Sequence, residues 1–127
     1  MIIPMKPEIE PVLDGLAELS GLMVLWTQAN GSGCGLAERH TYHDCEFCRA
    51  VKADPARLAL CSRNDSELLA KEAESVRRPF LHRCHAGVVE LATPLFEEGN
   101  CRELVLAGIF REAGADTPYP DCAEALG

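Results

Sequence analysis

Long hydrophobic runs are missing from this sequence. The longest uninterrupted apolar stretch is Leu22 to Trp26, far short of the roughly 20 residues that span a bilayer. The opening stretch MIIPMKPEIEP holds no apolar h-region, so it is not expected to act as a secretory signal. Basic charge is scarce as well: 12 Lys and Arg face 20 Asp and Glu, a net charge of −8. Towards the end, Glu97, Glu98, Glu103, Glu112, Asp116, Asp121 and Glu124 are opposed only by Arg102 and Arg111. Phosphate backbones are held by Lys and Arg, so direct nucleic-acid contact is not expected. The basic cluster Lys71, Arg77, Arg78 and Arg83 is interrupted by Glu72 and Glu74 and reads as a solvated helix face. Internal repeats and low-complexity segments are absent.

What is present is an ordinary globular composition, 47% hydrophobic and 25% charged over 127 residues. That length suits one domain with its own core. The expected division is a leading helix at about 8–20, a core at about 22–111 and a C-terminal segment at 112–127. The seven cysteines are an odd number with no secretory signal. Free thiols in a reducing cytosol are therefore expected, rather than a disulfide framework.

Ile9, Val12, Leu13, Leu16 and Leu19 recur at helical spacing, and Gly21 supplies a stop. Leu22 to Thr27 reads as a buried strand. The turn signal Ala29-Asn-Gly-Ser-Gly33 predicts a hairpin to a second strand at about Cys34 to Glu38. A helix from about Cys45 to Ala53 follows, with Asp44 as its N-cap. Asp54-Pro55 opens another helix running to about Val76, with Leu58, Leu68, Leu69 and Ala73 along one side. Strands are expected at Phe80 to Cys84, Val88 to Phe96 and Glu103 to Phe110, and a short helix at Asp121 to Leu126. The fold class is α+β: a five-stranded antiparallel sheet with helices on one face, enclosing a cavity.

Three segments carry chemistry: His43-Asp-Cys-Glu-Phe-Cys48, Cys61-Ser-Arg-Asn-Asp65 and Cys84-His-Ala-Gly87. Cys45 and Cys48 share one face of a helix, at an N-terminus that favours a thiolate. Cys61, Asn64 and Asp65 share another. Cys84 and His85 point to opposite sides of a strand unless Gly87 turns the chain. Several readings stand side by side. Cys48, Cys61 and Cys84 with His85, or with Cys45 as the alternative ligand, would hold zinc or an iron–sulfur cluster. Cys45-x-x-Cys48 would be a redox pair, though no βαβ unit surrounds it. A Cys/His dyad would act in a small thiol enzyme, though adjacent Cys84 and His85 do not suit one another. Alternatively, the thiols line an apolar pocket or the core without ligating anything. Trp26 and Phe110 read as core or as cavity walls, Glu90 as a solvated strand residue or a ligand contact. His40, His43 and His82 read as surface or loop histidines.

The string Phe47-Cys48, Cys61, Asp65, Cys84-His85-Ala86-Gly87, Glu90, Pro94, Gly99 and Gly108 resembles the PocR sensory domain over about residues 8–111. The resemblance implies a PAS-like, non-catalytic sensor of small hydrocarbon-derived ligands in prokaryotic signalling or transcription-regulatory proteins. The resemblance maps the family's three cysteines and histidine onto Cys48, Cys61, Cys84 and His85; the expected ligand site comprises Trp26, Phe47, Asp65, His85, Glu90 and Phe110. Leu106-Ala-Gly-Ile-Phe110 departs from the pattern where members often carry a Gln after a Gly. An effector, a helix-turn-helix or a kinase, is expected in the same or a partner chain, and a homodimer through the leading helix is a further expectation.

Overall fold

A computed structural model describes residues 6–114 and 116–126; positions 1–5, 115 and 127 of the expected 1–127 domain lie outside the described residues. Helix α1 spans Glu10–Ser20 after a 3-10 turn at Lys6–Ile9. Gly21 ends α1 in the left-handed conformation that glycine adopts without strain, and its N–H closes back on Ala17 O. Leu13 is the buried residue of this helix, whereas Val12, Leu16 and Leu19 of the same apolar stripe are exposed, Leu19 by 88%.

The sheet has four strands, not five: β1 (Met23–Gln28), β2 (Phe80–Arg83), β3 (Val89–Glu97) and β4 (Asn100–Phe110), in the order β1-β4-β3-β2. Every neighbouring pair is antiparallel. The predicted strand at Cys34 to Glu38 does not form. The turn forms, with Gln28 N–H on Ser32 O and Gly31 N–H on Gln28 O, but the pairing stops at a single bridge between Thr27 and Gly33. Gly35 then takes a positive φ and the chain becomes a 3-10 turn at Glu38–His40. His40 Nδ1 meets the Val24 carbonyl at 2.7 Å, so a side chain occupies that edge of β1. The other His40 nitrogen lies 2.9 Å from Asp14 of α1, which Arg39 also holds.

Helix α2 is Glu46–Lys52, with Cys45 rather than Asp44 at the N-cap. Asp54 caps α3 (Pro55–Arg63) by accepting from Ala56 N–H. The single helix expected to Val76 is interrupted by a π turn at Asn64–Leu68 before α4 (Leu69–Val76). A π turn inserts one residue and rotates the face that follows. Leu68 therefore lies exposed, while Leu69 is 1% exposed and Ala73 fully buried; Leu58, ahead of the turn, is exposed as well.

Leu69 and Ala73 pack on Leu25, Leu104, Leu106 and Ala92 from three strands, forming one core cluster. A second joins Phe47 and Val51 of α2 to Ala86, Val88 and Cys122. The expected C-terminal helix is a 3-10 turn, Pro120–Leu126. No helix among the described residues is long and apolar enough to cross a membrane.

Candidate functional site

Between α2, the α3–π segment and the β2–β3 turn lies a cavity of about 40 Å³. That is room for a small molecule of a few non-hydrogen atoms. Cys48, Cys61 and Cys84 all line it, as do Phe47, Asp65, His85 and Glu90. A second, wider cavity of about 300 Å³ shares His43, Lys52, Cys61 and Asp65 with the first and is walled further out by Tyr42, Ser62 and Ser66.

The β2–β3 turn explains how adjacent Cys84 and His85 reach the same space. Gly87 adopts φ +83, its N–H closes on Cys84 O, and Cys84 N–H closes on Val88 O. A Cβ at Gly87 would also meet Pro118 Cδ at 3.1 Å, so the glycine lets the C-terminal segment cross over the turn. That segment is fastened there. Thr117 Oγ1 donates to Ala86 O, and Arg57 pairs with Asp121 through both carboxylate oxygens.

His85 sits between two partners. The Cys61 thiol lies 3.1 Å from its Nε2, and Tyr119 OH lies 2.7 Å from its Nδ1. If the thiol donates, the ring proton belongs on Nδ1 and is donated to Tyr119. Burial pushes the Cys61 and Cys84 thiols up, and burial pushes the His85 imidazole down, so both members of the Cys61–His85 pair are held neutral. At the start of α2, the Cys48 thiol bonds the Cys45 sulfur. That bond, with the N–H groups of Cys48 and Phe47, lowers the Cys45 pKa and raises that of Cys48.

The polar wall is a buried ion pair. His43 Nε2 lies 2.7 Å from Glu90 Oε2, with the two side chains 13% and 6% exposed, and Asp65 lies 3.7 Å from the other ring nitrogen. Behind it, His82 Nε2 meets Asn64 Oδ1 at 2.7 Å and His82 Nδ1 meets Glu72 at 2.6 Å. His40 and His82 are thus buried and His43 is half-buried, and all three are partnered, not the surface or loop histidines expected; Glu90 is not a solvated strand residue.

Two expected cavity walls lie elsewhere. Trp26 alternates with Leu25 and Thr27, so it faces away from α4, and its Nε1 donates to Glu103. Phe110 is displaced by the β-bulge between Val89 and Glu90, which turns Ile109 into the cavity instead. Lys52 and Tyr119 are site residues that the sequence reading passed over, while His43 and Asn64 stood in its chemistry-bearing segments without being assigned to the site. Lys52 was accessible to it, standing four residues after Cys48 on a helix; Tyr119 carried no such signal.

Among the described residues no group of three or more His, Cys, Asp or Glu is arranged to hold a metal ion. The donors are engaged with each other, Cys61 with His85 and Cys45 with Cys48, instead of converging on one point. As arranged, they do not fit zinc or an iron–sulfur cluster.

Gly108 governs the floor. A Cβ there would sit 2.6 Å from Glu90 Cβ and 3.1 Å from its Cα. Gly108→Ala is expected to cost about 1–3 kcal/mol through this overpacking. Urea unfolding checks it; an unchanged midpoint would show that β3 and β4 yield freely here.

A family model described as the sensory domain found in PocR matches residues 4–126. No curated protein and no solved structure matches.

Proposed function

The chain belongs to the PocR sensory-domain family, and from that premise we propose that it is a non-catalytic sensor whose ligand enters the cavity bounded by Phe47, Cys48, Cys61, Cys84 and His85. The observation that carries this reading is the meeting, at one largely apolar space, of residues from α2, α3 and the β2–β3 turn. Its size favours a small hydrocarbon-derived molecule. Asp65, Glu90 and His43 offer such a molecule a polar end.

A sensor needs two states that the ligand distinguishes. The route outward runs from the cavity through His85 to Tyr119 and on to the Pro120–Leu126 turn, where an effector module in the same or a partner chain would read it. Val12, Leu16 and Leu19 leave an uncovered apolar stripe on α1, which supports pairing of two copies through that helix. The thiols act in this reading as pocket walls. A metal analysis of anaerobically purified protein checks that, with stoichiometric zinc or iron counting against it.

The ligand test is nuclear magnetic resonance titration with two- to four-carbon alcohols, diols, ketones and aldehydes. At least one is expected to shift the amides of Cys48, Cys84 and Ile109 together, with Tyr119 following. Shifts confined to the surface, or none with any compound, would overturn the reading.

A further inference from the structure

Of the thiols lining the cavity, Cys61 is the one with an imidazole in hydrogen-bond reach among the described residues, and that imidazole is itself held by a third group. Cys61 Sγ to His85 Nε2 is 3.1 Å, and His85 Nδ1 to Tyr119 OH is 2.7 Å. Tyr119 is fixed in turn, its ring lying 4.1 Å beneath the Arg57 guanidinium. Nucleophile, base and orienting group in sequence are the arrangement that activates a thiol. The three residues come from α3, the β2–β3 turn and the C-terminal segment, so the fold assembles them from distant stretches of chain. Lys52, which donates to His43 O at 2.9 Å, lines the same cavity and presents a positive charge to negative charge developing there.

We propose that Cys61 captures a small aldehyde as a reversible hemithioacetal, with His85 as the base. This rests on the reading that the cavity is the ligand site. Cys61 Sγ forms a bond to the carbonyl carbon, and the C=O π bond opens onto oxygen. The thiol proton passes to His85 Nε2 and from there to that oxygen, which becomes a hydroxyl. No oxidant or reductant is needed, and the reverse step restores thiol and aldehyde. Chemistry selects the class: an aldehyde carries no leaving group, so addition stops at the hemithioacetal, whereas an ester or peptide would pass its acyl group to Cys61. A two- or three-carbon aldehyde has three or four non-hydrogen atoms, few enough for the narrower of the two cavities that Cys61 lines. Reversibility suits a sensor, because occupancy then tracks concentration. Capture also removes the Cys61 S–H that faces His85 Nε2, which changes the hydrogen bonding of the ring that Tyr119 contacts and ties capture to the C-terminal segment.

The test uses carbon-13-labelled acetaldehyde and the intact chain. A saturable carbon resonance of an sp3 centre bonded to both oxygen and sulfur is expected in the wild type and in Cys34→Ser, whose thiol lies outside the cavity lining, and is expected to vanish in Cys61→Ser. His85→Gln is expected to slow exchange between free and bound aldehyde about 100-fold, within the usual range for a general base. Should either variant unfold, the wild type still decides the matter: acetaldehyde is expected to protect Cys61 from iodoacetamide, read by peptide mapping. The proposal is overturned by an adduct that persists in Cys61→Ser, by an imine on Lys52, or by neither adduct nor protection. If alcohols or ketones still shift Cys48 and Ile109 while acetaldehyde forms no adduct, covalent capture fails and the pocket reading survives. If nothing shifts those amides, both fail.

Discussion

Glu90→Ala is expected to lower the free energy of unfolding by about 3–5 kcal/mol, the range for removing one member of a buried ion pair. Glu90 is 5% exposed and stands 2.7 Å from His43. The pH dependence separates this from simple loss of packing. Burial opposes the charged His43 ring, but the carboxylates of Glu90 and Asp65 outweigh it and raise the His43 pKa above its ordinary value. A raised folded-state pKa contributes stability that is fully present below the unfolded value of about 6.5 and is lost as pH rises through the folded value. Removing Glu90 takes away the largest carboxylate contribution and leaves the burial. The damage is therefore expected to be greatest below about pH 6.5 and to shrink towards alkaline pH. Urea unfolding at acid and alkaline pH measures it; an equal loss at both would mean that His43 is uncharged in the native pair.

Phe47→Ala is expected to be comparably severe. Phe47 is 1% exposed and belongs both to the second core cluster and to the cavity wall. Large-to-small changes at buried phenylalanines cost about 3–5 kcal/mol, through lost transfer energy and the void left behind. Here the void opens into the cavity. A variant that remains folded at low temperature is therefore expected to bind molecules several carbons longer than those the wild type accepts. Titration with a homologous series of alcohols reads the change. An unaltered size limit, despite the expected loss of stability, would show that other residues set the boundary of the site.

The local features were legible because they depend on neighbours along the chain. Gly87 could be read as a turn that brings Cys84 and His85 to one space, since the alternation of a strand fails where a glycine takes a positive φ. Cys48, Cys61 and Cys84, each at or near the end of an element, all line the cavity, but Cys61 pairs with His85 and Cys48 with Cys45. The dyad was not legible. Adjacent Cys84 and His85 drew attention by proximity in sequence, yet the partner of His85 is Cys61, 24 residues earlier, and its other contact is Tyr119, 34 residues later. The π turn at Asn64–Leu68 left no sequence mark. It leaves Leu68 exposed beside a buried Leu69, where an uninterrupted helix was expected to bury both.

Composition and spacing by themselves determined the α+β character, the leading helix, most of the strand positions and the segments that carry the chemistry. Each is set by periodicity, by turn residues or by a short motif, and so by interactions within a few residues. Tertiary structure alone decided which face of each strand is covered. Trp26 and Leu25 are equally apolar, but α4 lies on one side of the sheet, so Leu25 enters the core and Trp26 turns instead to Glu103. It also decided that Glu90 is buried against His43, and that the edge of β1 at Val24 goes to His40 rather than to a fifth strand. These outcomes depend on pairing between segments far apart in the chain, where burial and electrostatics act through space and leave no local pattern to read.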